Sequence, residues 1–211
     1  MNLKYDFPVE AGNEKRVYGR IISWAKPGLR ALDVGCDTGR LGEGLKRKGL
    51  AVDGVEMDPD AARLAAGRLD RVVTGSILDA SVLHGLNGPY DIIIFADVLE
   101  HLPQPEAALD GIKALLSDEG EVYASLPNVA NFRVRLPLLF GRFQYTEIGI
   151  LDKTHLRFFT RTTARELFTG AGYEVAEVKP AATHLPAPLL YALPGLFATR
   201  FVIRARPRKT T

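Results

Sequence analysis

Two turns dominate the sequence, Ala31-Leu-Asp-Val-Gly-Cys-Asp-Thr-Gly-Arg-Leu41 and the acidic turn Gly54-Val-Glu-Met-Asp-Pro59. Each follows a short apolar run and precedes a segment whose apolar residues recur at helical spacing. The order is strand, glycine-rich turn, helix, strand, acidic turn, helix, which predicts the first half of a nucleotide-binding α/β fold. We therefore expect a ligand over the carboxyl ends of the first two strands.

The residues of these turns narrow the class of ligand. Gly35 and Gly39 allow a tight turn and a close approach of the backbone to a ligand. Glu56 follows Asp33 at roughly the 20-residue spacing at which a carboxylate accepts both hydroxyls of an adenosine ribose. In a dinucleotide fingerprint the second glycine admits the pyrophosphate, but Asp37 stands there. Two carboxylates would repel a pyrophosphate, whereas S-adenosylmethionine (SAM) has no phosphate and carries a sulfonium and an ammonium.

The first turn resembles a known family motif. Asp33-Val-Gly-Cys-Asp-Thr-Gly39 is similar to the first motif of class I SAM-dependent methyltransferases, commonly D-x-G-x-G-x-G, with Asp37 replacing the middle glycine. The resemblance implies a Rossmann-like three-layer α/β sandwich. Its seven-stranded sheet would be mostly parallel, with an antiparallel C-terminal hairpin and a lid insertion after strand five. Residues 1–211 would form a single domain, with 129–160 as the lid or substrate insertion.

The resemblance also implies the cofactor, SAM, with S-adenosylhomocysteine (SAH) as the product. The residues it places at the cofactor are Asp33, Gly35, Cys36, Gly39, Glu56, Met57, Ser76, Ile77 and Asp97. Ser76 would meet the exocyclic amine of adenine, while Ile77 and Met57 would cover the two faces of the ring. The alternatives are an ordinary strand exit at Ser76 and a core position for Met57. For Cys36, we expect a small buried residue behind the turn rather than a reactive thiol.

A second motif, Asp97-Val-Leu-Glu-His-Leu102, ends the predicted fourth strand, where open parallel sheets place their chemistry. It resembles a segment of small-molecule methyltransferases of the same class. Asp97 would lie near the methionine portion of SAM and orient the substrate. For Glu100 we expect a solvated side chain in a helix-opening turn. His101 has two open roles, a substrate contact or a structural hydrogen bond.

The segment 129–160 is the least Rossmann-like part of the chain. Within it, Gly149-Ile-Leu-Asp-Lys-Thr-His-Leu-Arg-Phe-Phe-Thr160 resembles bacterial methyltransferases that act on sugars, lipids or other secondary metabolites. In an extended segment His155 and Arg157 would share a face. His155 could then take a hydroxyl proton and Arg157 could bind an anionic substrate group. Alternatively, both residues brace the lid by bonding to Asp152 or to the backbone.

The remaining sequence predicts the other elements. We expect helices over 13–25, 104–116 and 162–171, and final strands over 173–178 and 199–205. Asp58 would cap the start of a helix, and Thr160 or Thr162 would cap the helix over 162–171. The stretch 185–197 contains three prolines, which predicts a loop or a short helix. The basic and apolar stretch 133–140 would pack on the substrate as part of the lid, or contact a membrane as an amphipathic helix.

Composition limits the compartment and the partners. The chain has 211 residues, a formal net charge of +2 and one cysteine. These values favour a small-molecule substrate over nucleic acid, and the lone cysteine fits a reducing cytoplasm. The amino terminus lacks the apolar core of a signal peptide, and no apolar run reaches membrane-spanning length. The form of membrane association that remains is weak peripheral contact. We expect no metal site, because no Cys/His cluster has ligand spacing. The oligomeric state stays open, with a homodimer as one arrangement.

The function that these observations predict is SAM-dependent methyl transfer to a small molecule, with oxygen as the acceptor atom. His155 and Asp97 are the candidate catalytic residues, and His101, His155 and Arg157 are the candidate substrate-binding residues. One alternative is a nicotinamide-dependent oxidoreductase, which Asp37 disfavours. The other is a SAM-binding domain that has no catalytic activity and acts through a partner.

Overall fold

The protein was analysed as a computed structural model that describes residues 13–182 and 186–209. The expectation for the amino terminus and the first residue of the proline-broken stretch, Leu185, lie outside these residues. Among the described residues, no helix is both long enough and apolar enough to cross a bilayer.

A seven-stranded sheet forms the centre of the fold. Its strands are β1 (Arg30–Val34), β2 (Ala51–Glu56), β3 (Arg71–Thr74), β4 (Tyr90–Ala96), β5 (Leu116–Pro127), β6 (Tyr173–Ala181) and β7 (Arg200–Pro207). They lie in the order β3-β2-β1-β4-β5-β7-β6. The first five strands are parallel to one another, and β7 runs antiparallel to both β5 and β6. The predicted Rossmann-like architecture with its antiparallel C-terminal pair is confirmed.

The central strands are buried on both faces, as their continuous apolar sequence predicts. Alternate residues of β4 enter different hydrophobic clusters, Ile93 and Phe95 in one and Ile92 and Ile94 in the other. Successive side chains of a strand point to opposite faces, so each face of the sheet has its own core. The sheet is therefore the middle of three layers.

The helices cover these two faces. They are α1 (Val17–Trp24), α2 (Arg40–Arg47), α3 (Pro59–Ala65), α4 (Ala80–His84), α5 (Pro105–Gly111), α6 (Phe132–Leu139), α7 (Arg161–Gly170), α8 (Ala187–Ala192) and α9 (Pro194–Phe197). The predicted caps are present: the Asp58 carboxylate accepts from two backbone N–H groups at the start of α3, and Thr160 forms a capping box at α7. The expected helix over 104–116 is shorter, because α5 ends at Gly111, a poor helix former, and a 3-10 turn follows.

Residues 129–160 join β5 to α7 and contain α6. Asn131 caps α6 by accepting from the backbone N–H of Arg133, and Pro137 lies in its last turn. Bridges of single residues join Asn128 to Phe159 and Thr146 to Asp152. Positions 135–149 are exposed throughout. Most of the stretch 133–140 is thus helical, as the membrane-helix alternative requires, and its second half lies on the surface.

Candidate active site

The strand order reverses between β1 and β4. In open parallel sheets, ligands bind in the crevice outside the carboxyl ends of the strands at this point. Two non-glycine residues with left-handed backbones lie at its sides: Asp37 follows β1 with φ 47°, and Asp97 follows β4 with φ 57°. Such conformations are unfavourable for residues with a Cβ, and they concentrate at functional sites. The backbone therefore supports the predicted location of the site.

The glycine-rich turn after β1 needs its glycines for two separate reasons. Gly35 has φ 66°, and a Cβ there would lie 2.6 Å from a methyl of Val98. Gly39 has φ 82° and begins α2 packed against the backbone of Ala65, 3.1 Å from where its Cβ would be. A side chain at either position would clash with its neighbours, so glycine is needed for this tight connection between β1 and α2.

Glu56, the predicted ribose ligand, ends β2 beside this turn. One oxygen of its carboxylate accepts from the backbone N–H of Asp37 at 2.8 Å, and the other accepts from Asp58 at 2.9 Å. Each carboxylate oxygen can accept a further hydrogen bond. The two backbone donors therefore orient Glu56 and leave acceptor capacity on both oxygens.

Asp33 lies beneath the turn and is 1% exposed. Neither of its oxygens makes a hydrogen bond of normal geometry to the described residues. Burial, then the nearby Glu56 carboxylate, raises the pKa of Asp33 to about 7, and the backbone N–H of Gly42 offsets only part of this rise. A buried carboxylate without a partner is unfavourable, and a cationic ligand in the crevice would stabilise it.

Asp97 is held by two neighbours on the opposite side. Ser125 donates its hydroxyl to one carboxylate oxygen at 2.6 Å and accepts the backbone N–H of Asp97. The guanidinium of Arg200, at the start of β7, donates to the other oxygen at 2.6 Å. The carboxylate of Asp97 raises the pKa of Arg200. These contacts suit Asp97 to orientation of a ligand more than to proton abstraction.

Sequence reasoning missed Tyr18 and Arg200. Burial raises the pKa of the Tyr18 phenol, and Asp33 and Asp97 raise it further, so α1 brings this hydroxyl into the acidic crevice. Tyr18 has the spacing of a core residue of α1, and Arg200 is part of an alternating strand pattern. Neither residue stands out from its neighbours in the sequence. The one available signal was Arg200, an arginine at the start of an apolar strand.

The predicted adenine-side residues differ in exposure. Met57 is 72% exposed beside Glu56, so the alternative of a core position for Met57 is wrong. Ile77 is buried in the hydrophobic cluster that contains Ile93 and Phe95. The Ser76 hydroxyl accepts the backbone N–H of Leu78. The Cys36 thiol is buried against Gly54, and burial raises its pKa, which agrees with a packing role. Met57 is thus the most accessible of these side chains.

Glu100 departs from its expected environment. It lies in the 3-10 turn Leu99–His101 and is 0% exposed, so the prediction of a solvated side chain is wrong. The carbonyl of Glu100 accepts the backbone N–H groups of Leu156 and Arg157 at 2.9 and 3.1 Å. The segment 150–160 packs over this turn and excludes water from it. A sequence cannot show such a long-range contact.

The segment that carries His155 and Arg157 is not extended, contrary to expectation, because the chain bends at Leu156. His155 is buried, and its Nδ1 donates to the carbonyl of Ile150 at 3.0 Å. Burial lowers its pKa. Arg157 is exposed and donates to the carbonyl of Pro103 at 2.8 Å. Both side chains make backbone contacts of the kind the bracing alternative predicts, and the catalytic role of His155 stays a prediction.

His101 lies beside His155, with the ring centroids 4.8 Å apart. Its Nδ1 lies 3.2 Å from both the carbonyl and the hydroxyl of Thr154. His101 is therefore engaged in a structural hydrogen bond, one of its two predicted roles. The ring is partly exposed, which leaves the substrate contact possible as well.

Relatives of known function are similar to this chain. A ubiquinone biosynthesis O-methyltransferase from Azoarcus sp. (strain BH72) is 27% identical over 188 residues, covering 85% of this chain and 78% of the relative. One from Xylella fastidiosa (strain 9a5c) is 34% identical over 107 residues, covering 48% of this chain and 43% of the relative. The chain therefore spans less than half of the length of that second relative.

Solved structures support the fold. A magnesium protoporphyrin IX methyltransferase from Synechocystis PCC 6803 with bound SAH superimposes with a TM-score of 0.67 at 17% identity. The superposition covers 98% of this chain and 91% of the other. A methyltransferase-domain family model matches residues 14–178. This match includes both acidic turns, the crevice and the segment 129–160. The chain therefore belongs to the methyltransferase-domain family, as the resemblance of its first turn predicted.

Proposed function

We propose that this protein transfers the methyl group of SAM to an oxygen atom of a small, lipid-like acceptor. The observation that carries the proposal is the acidic crevice, in which Glu56 is oriented by two backbone N–H groups and Asp33 is buried without a hydrogen bond of normal geometry. Membership of the methyltransferase family sets aside the nicotinamide oxidoreductase alternative. A SAM-binding domain without catalytic activity remains an outcome of the experiment below.

The residues present fit SAM. Glu56 would accept the ribose hydroxyls, and the exposed Met57 would cover the adenine with Ser76 and Ile77 at its other side. Gly35, Cys36 and Gly39 would offer backbone to the methionine portion, while Asp33 and Asp97 supply negative charge near its cationic groups. When bound, SAM supplies an electrophilic methyl group on a sulfonium. The relatives described above, and the SAH-bound neighbour, support this assignment.

On the acceptor side, the protein's role is alignment and exclusion of water. Asp97, fixed by Ser125 and Arg200, would accept a hydrogen bond from the acceptor hydroxyl and orient it. The segment 150–160 packs over the end of β4, where the backbone of Leu156 and Arg157 donates to the carbonyl of Glu100. The rings of His101 and His155 lie side by side at this contact. Arg157 would bind an anionic group of the acceptor at the rim, where its guanidinium is exposed.

The surface beside this cleft supports an apolar acceptor. The exposed large apolar side chains of residues 129–149 are Leu136, Leu138, Leu139, Phe140, Phe143, Tyr145 and Ile148. Arg133, Arg135 and Arg142 stand among them, and no acidic residue occurs from 129 to 146. Apolar and basic groups together suit contact with an anionic lipid surface. A lipid-like acceptor, reached through weak peripheral membrane contact, explains why these apolar groups are exposed.

The test supplies purified protein with SAM and pairs of hydroxy-aromatic acceptors that differ only in an alkyl tail. We expect SAH formation and a product heavier by one CH₂ group, with tailed acceptors favoured over their tailless matches. Leu139→Ser, on the exposed face of α6, should reduce this preference while leaving SAM affinity unchanged. SAM binding without product from any acceptor would favour the non-catalytic domain. Equal rates for both acceptor types would contradict the lipid-like assignment.

A further inference from the structure

Three side chains with metal-binding chemistry meet at the end of β4. Glu100 and His101 come from the 3-10 turn after the strand, and His155 comes from the segment that covers it. One ligand atom from each lies within 4.8 Å of the other two. His155 is more than 50 residues from Glu100 and His101 in the sequence, so no ligand spacing was visible there. The fold alone creates this cluster.

The hydrogen bonds of the two histidines determine which ring nitrogen carries the proton. A carbonyl oxygen can only accept, so Nδ1 of His155 donates to Ile150. The Thr154 hydroxyl donates to Asp152 at 2.7 Å, so it accepts from His101, as does the Thr154 carbonyl. Both neutral rings therefore keep a lone pair on Nε2. Metal-binding histidines have this arrangement, with the other ring nitrogen donating to a carbonyl or carboxylate.

Glu100 is the acidic member of the cluster. It is fully buried, and neither carboxylate oxygen has a hydrogen-bond partner among the described residues. The distance from its Oε1 to Nε2 of His155 is 4.0 Å, which is too long for a hydrogen bond. Buried carboxylates normally have partners, because an unpaired one loses its hydration without compensation. The cluster is therefore missing a partner for Glu100.

We propose that Glu100, His101 and His155 bind one divalent transition-metal ion, with Zn²⁺ as the best match to two imidazoles and one carboxylate. Zinc bonds to such ligands are about 2.0–2.2 Å long, and side-chain adjustments of roughly 1 Å would bring the three donors to that distance. A fourth coordination position would remain for water or an acceptor oxygen. In this proposal, metal binding replaces the predicted role of His155 as a general base.

The ion would fasten the segment 150–155 to the body of the protein. The backbone already joins the same two parts, since Leu156 and Arg157 donate to the carbonyl of Glu100. A metal ion bound by His155 together with Glu100 and His101 would add a side-chain link across this junction. The inference goes beyond methyl transfer and does not depend on which acceptor is used.

The first test measures metal binding to protein that carries no polyhistidine tag and has been treated with a chelator. We expect calorimetry to show one Zn²⁺ per chain, and Co²⁺ to give visible absorption bands of a low-coordinate site. Glu100→Gln and His155→Asn should each weaken binding by roughly 100-fold or more, since loss of an outer-shell partner alone weakens it 10–100-fold. The exposed residues Glu106 and His84 provide matched controls, Glu106→Gln and His84→Asn.

The second measurement keeps the proposal testable if a variant fails to fold. Wild-type protein is digested with trypsin with Zn²⁺ and with a chelator, and cleavage after Arg142 and Lys153 is followed by mass spectrometry. We expect Zn²⁺ to slow these cleavages at least several-fold, with cleavage after Arg208 in the exposed tail as the internal reference. No stoichiometric binding to folded wild-type protein would overturn the proposal. Binding that persists in folded Glu100→Gln and His155→Asn would overturn it as well.

Discussion

The proposed cofactor side of the cleft, residues 33–58, is held by hydrogen bonds between neighbouring turns, whereas the proposed acceptor side, residues 129–160, is mostly exposed. Glu56 receives two backbone N–H groups from within its own turn and the adjacent one. The acceptor segment instead depends on distant partners, such as the carbonyl of Glu100 for the backbone N–H of Leu156 and that of Pro103 for the Arg157 guanidinium. The contrast separates a preformed binding site from a cover attached at few points.

This difference has a functional explanation. A methyl donor of constant structure can be matched by a rigid acidic turn, in which orientation precedes binding. An acceptor that varies between family members is better met by a separate segment, since surface connections tolerate sequence change. Variants on the cofactor side should therefore alter affinity with little effect on acceptor preference, and variants in the segment should do the reverse.

Glu56→Ala should give the largest effect, confined to the cofactor side. Losing two charge-assisted hydrogen bonds to the ribose should weaken SAM binding by roughly 2–4 kcal/mol. The N–H groups of Asp37 and Asp58 also lose their acceptor, so the melting temperature should fall modestly. Calorimetry with SAM measures the first effect and thermal denaturation the second.

Two other variants control this experiment. Glu56→Gln keeps one carbonyl oxygen and should bind SAM with intermediate affinity. Glu106→Ala removes an exposed glutamate from α5 and should change nothing. If folded Glu56→Ala retained wild-type affinity, the ribose would have to lie elsewhere, and the preformed-site half of the comparison would fail.

The second prediction concerns pH and Asp33, whose pKa burial and Glu56 raise to about 7. Below that pH the empty protein holds Asp33 protonated, while the cationic groups of SAM favour the ionised carboxylate. Binding then expels a proton, so SAM affinity should fall about tenfold for each pH unit below 7. For the empty protein the sign is opposite: the contribution of Asp33 to folding stability is full below its unfolded pKa and is lost as pH rises through 7.

Calorimetry from pH 5.5 to 7.5, in buffers of different ionisation enthalpy, counts the expelled proton. Asp33→Asn should flatten the dependence of SAM affinity on pH, because it cannot ionise. An equally steep dependence in Asp33→Asn would assign the proton to another group.

The third prediction is the smallest and concerns the departure from the family motif. Asp37 has a left-handed backbone, so Asp37→Gly should relieve strain and shift the free energy of unfolding by about 1 kcal/mol or less. Its backbone N–H still reaches Glu56, so SAM affinity should stay within a few-fold of wild type. Denaturant unfolding and calorimetry measure the two quantities. A tenfold loss of SAM affinity would instead make the Asp37 carboxylate a cofactor contact.

Sequence reasoning was most successful where the structure is local. The caps at Asp58 and Thr160, the apolar strand ending at Ala96 and the glycine turn after β1 all follow from neighbouring residues. It was less successful where a partner comes from far along the chain. Burial of Glu100 depends on packing by the segment 150–160, and no feature near Glu100 in the sequence reveals that contact.

The ion pair of Arg200 with Asp97 shows the same limit, since it joins β7 to the end of β4. The placement of His155 and Arg157 failed for a related reason. An extended segment would put them on one face, but hydrogen bonds from Leu156 and Arg157 to Glu100 bend the chain between them. Periodicity describes a regular strand and does not describe a segment shaped by contacts with another element.

Ligand-dependent thermal stability tests the central claim, an acidic crevice built for SAM, most directly. SAM, SAH and NADH are compared in parallel on the same preparation. The account predicts that SAM and SAH raise the melting temperature, with a stabilisation of about 2.7 kcal/mol at 100 times the dissociation constant, and that NADH has no effect. Stabilisation by NADH together with no response to SAH would contradict it.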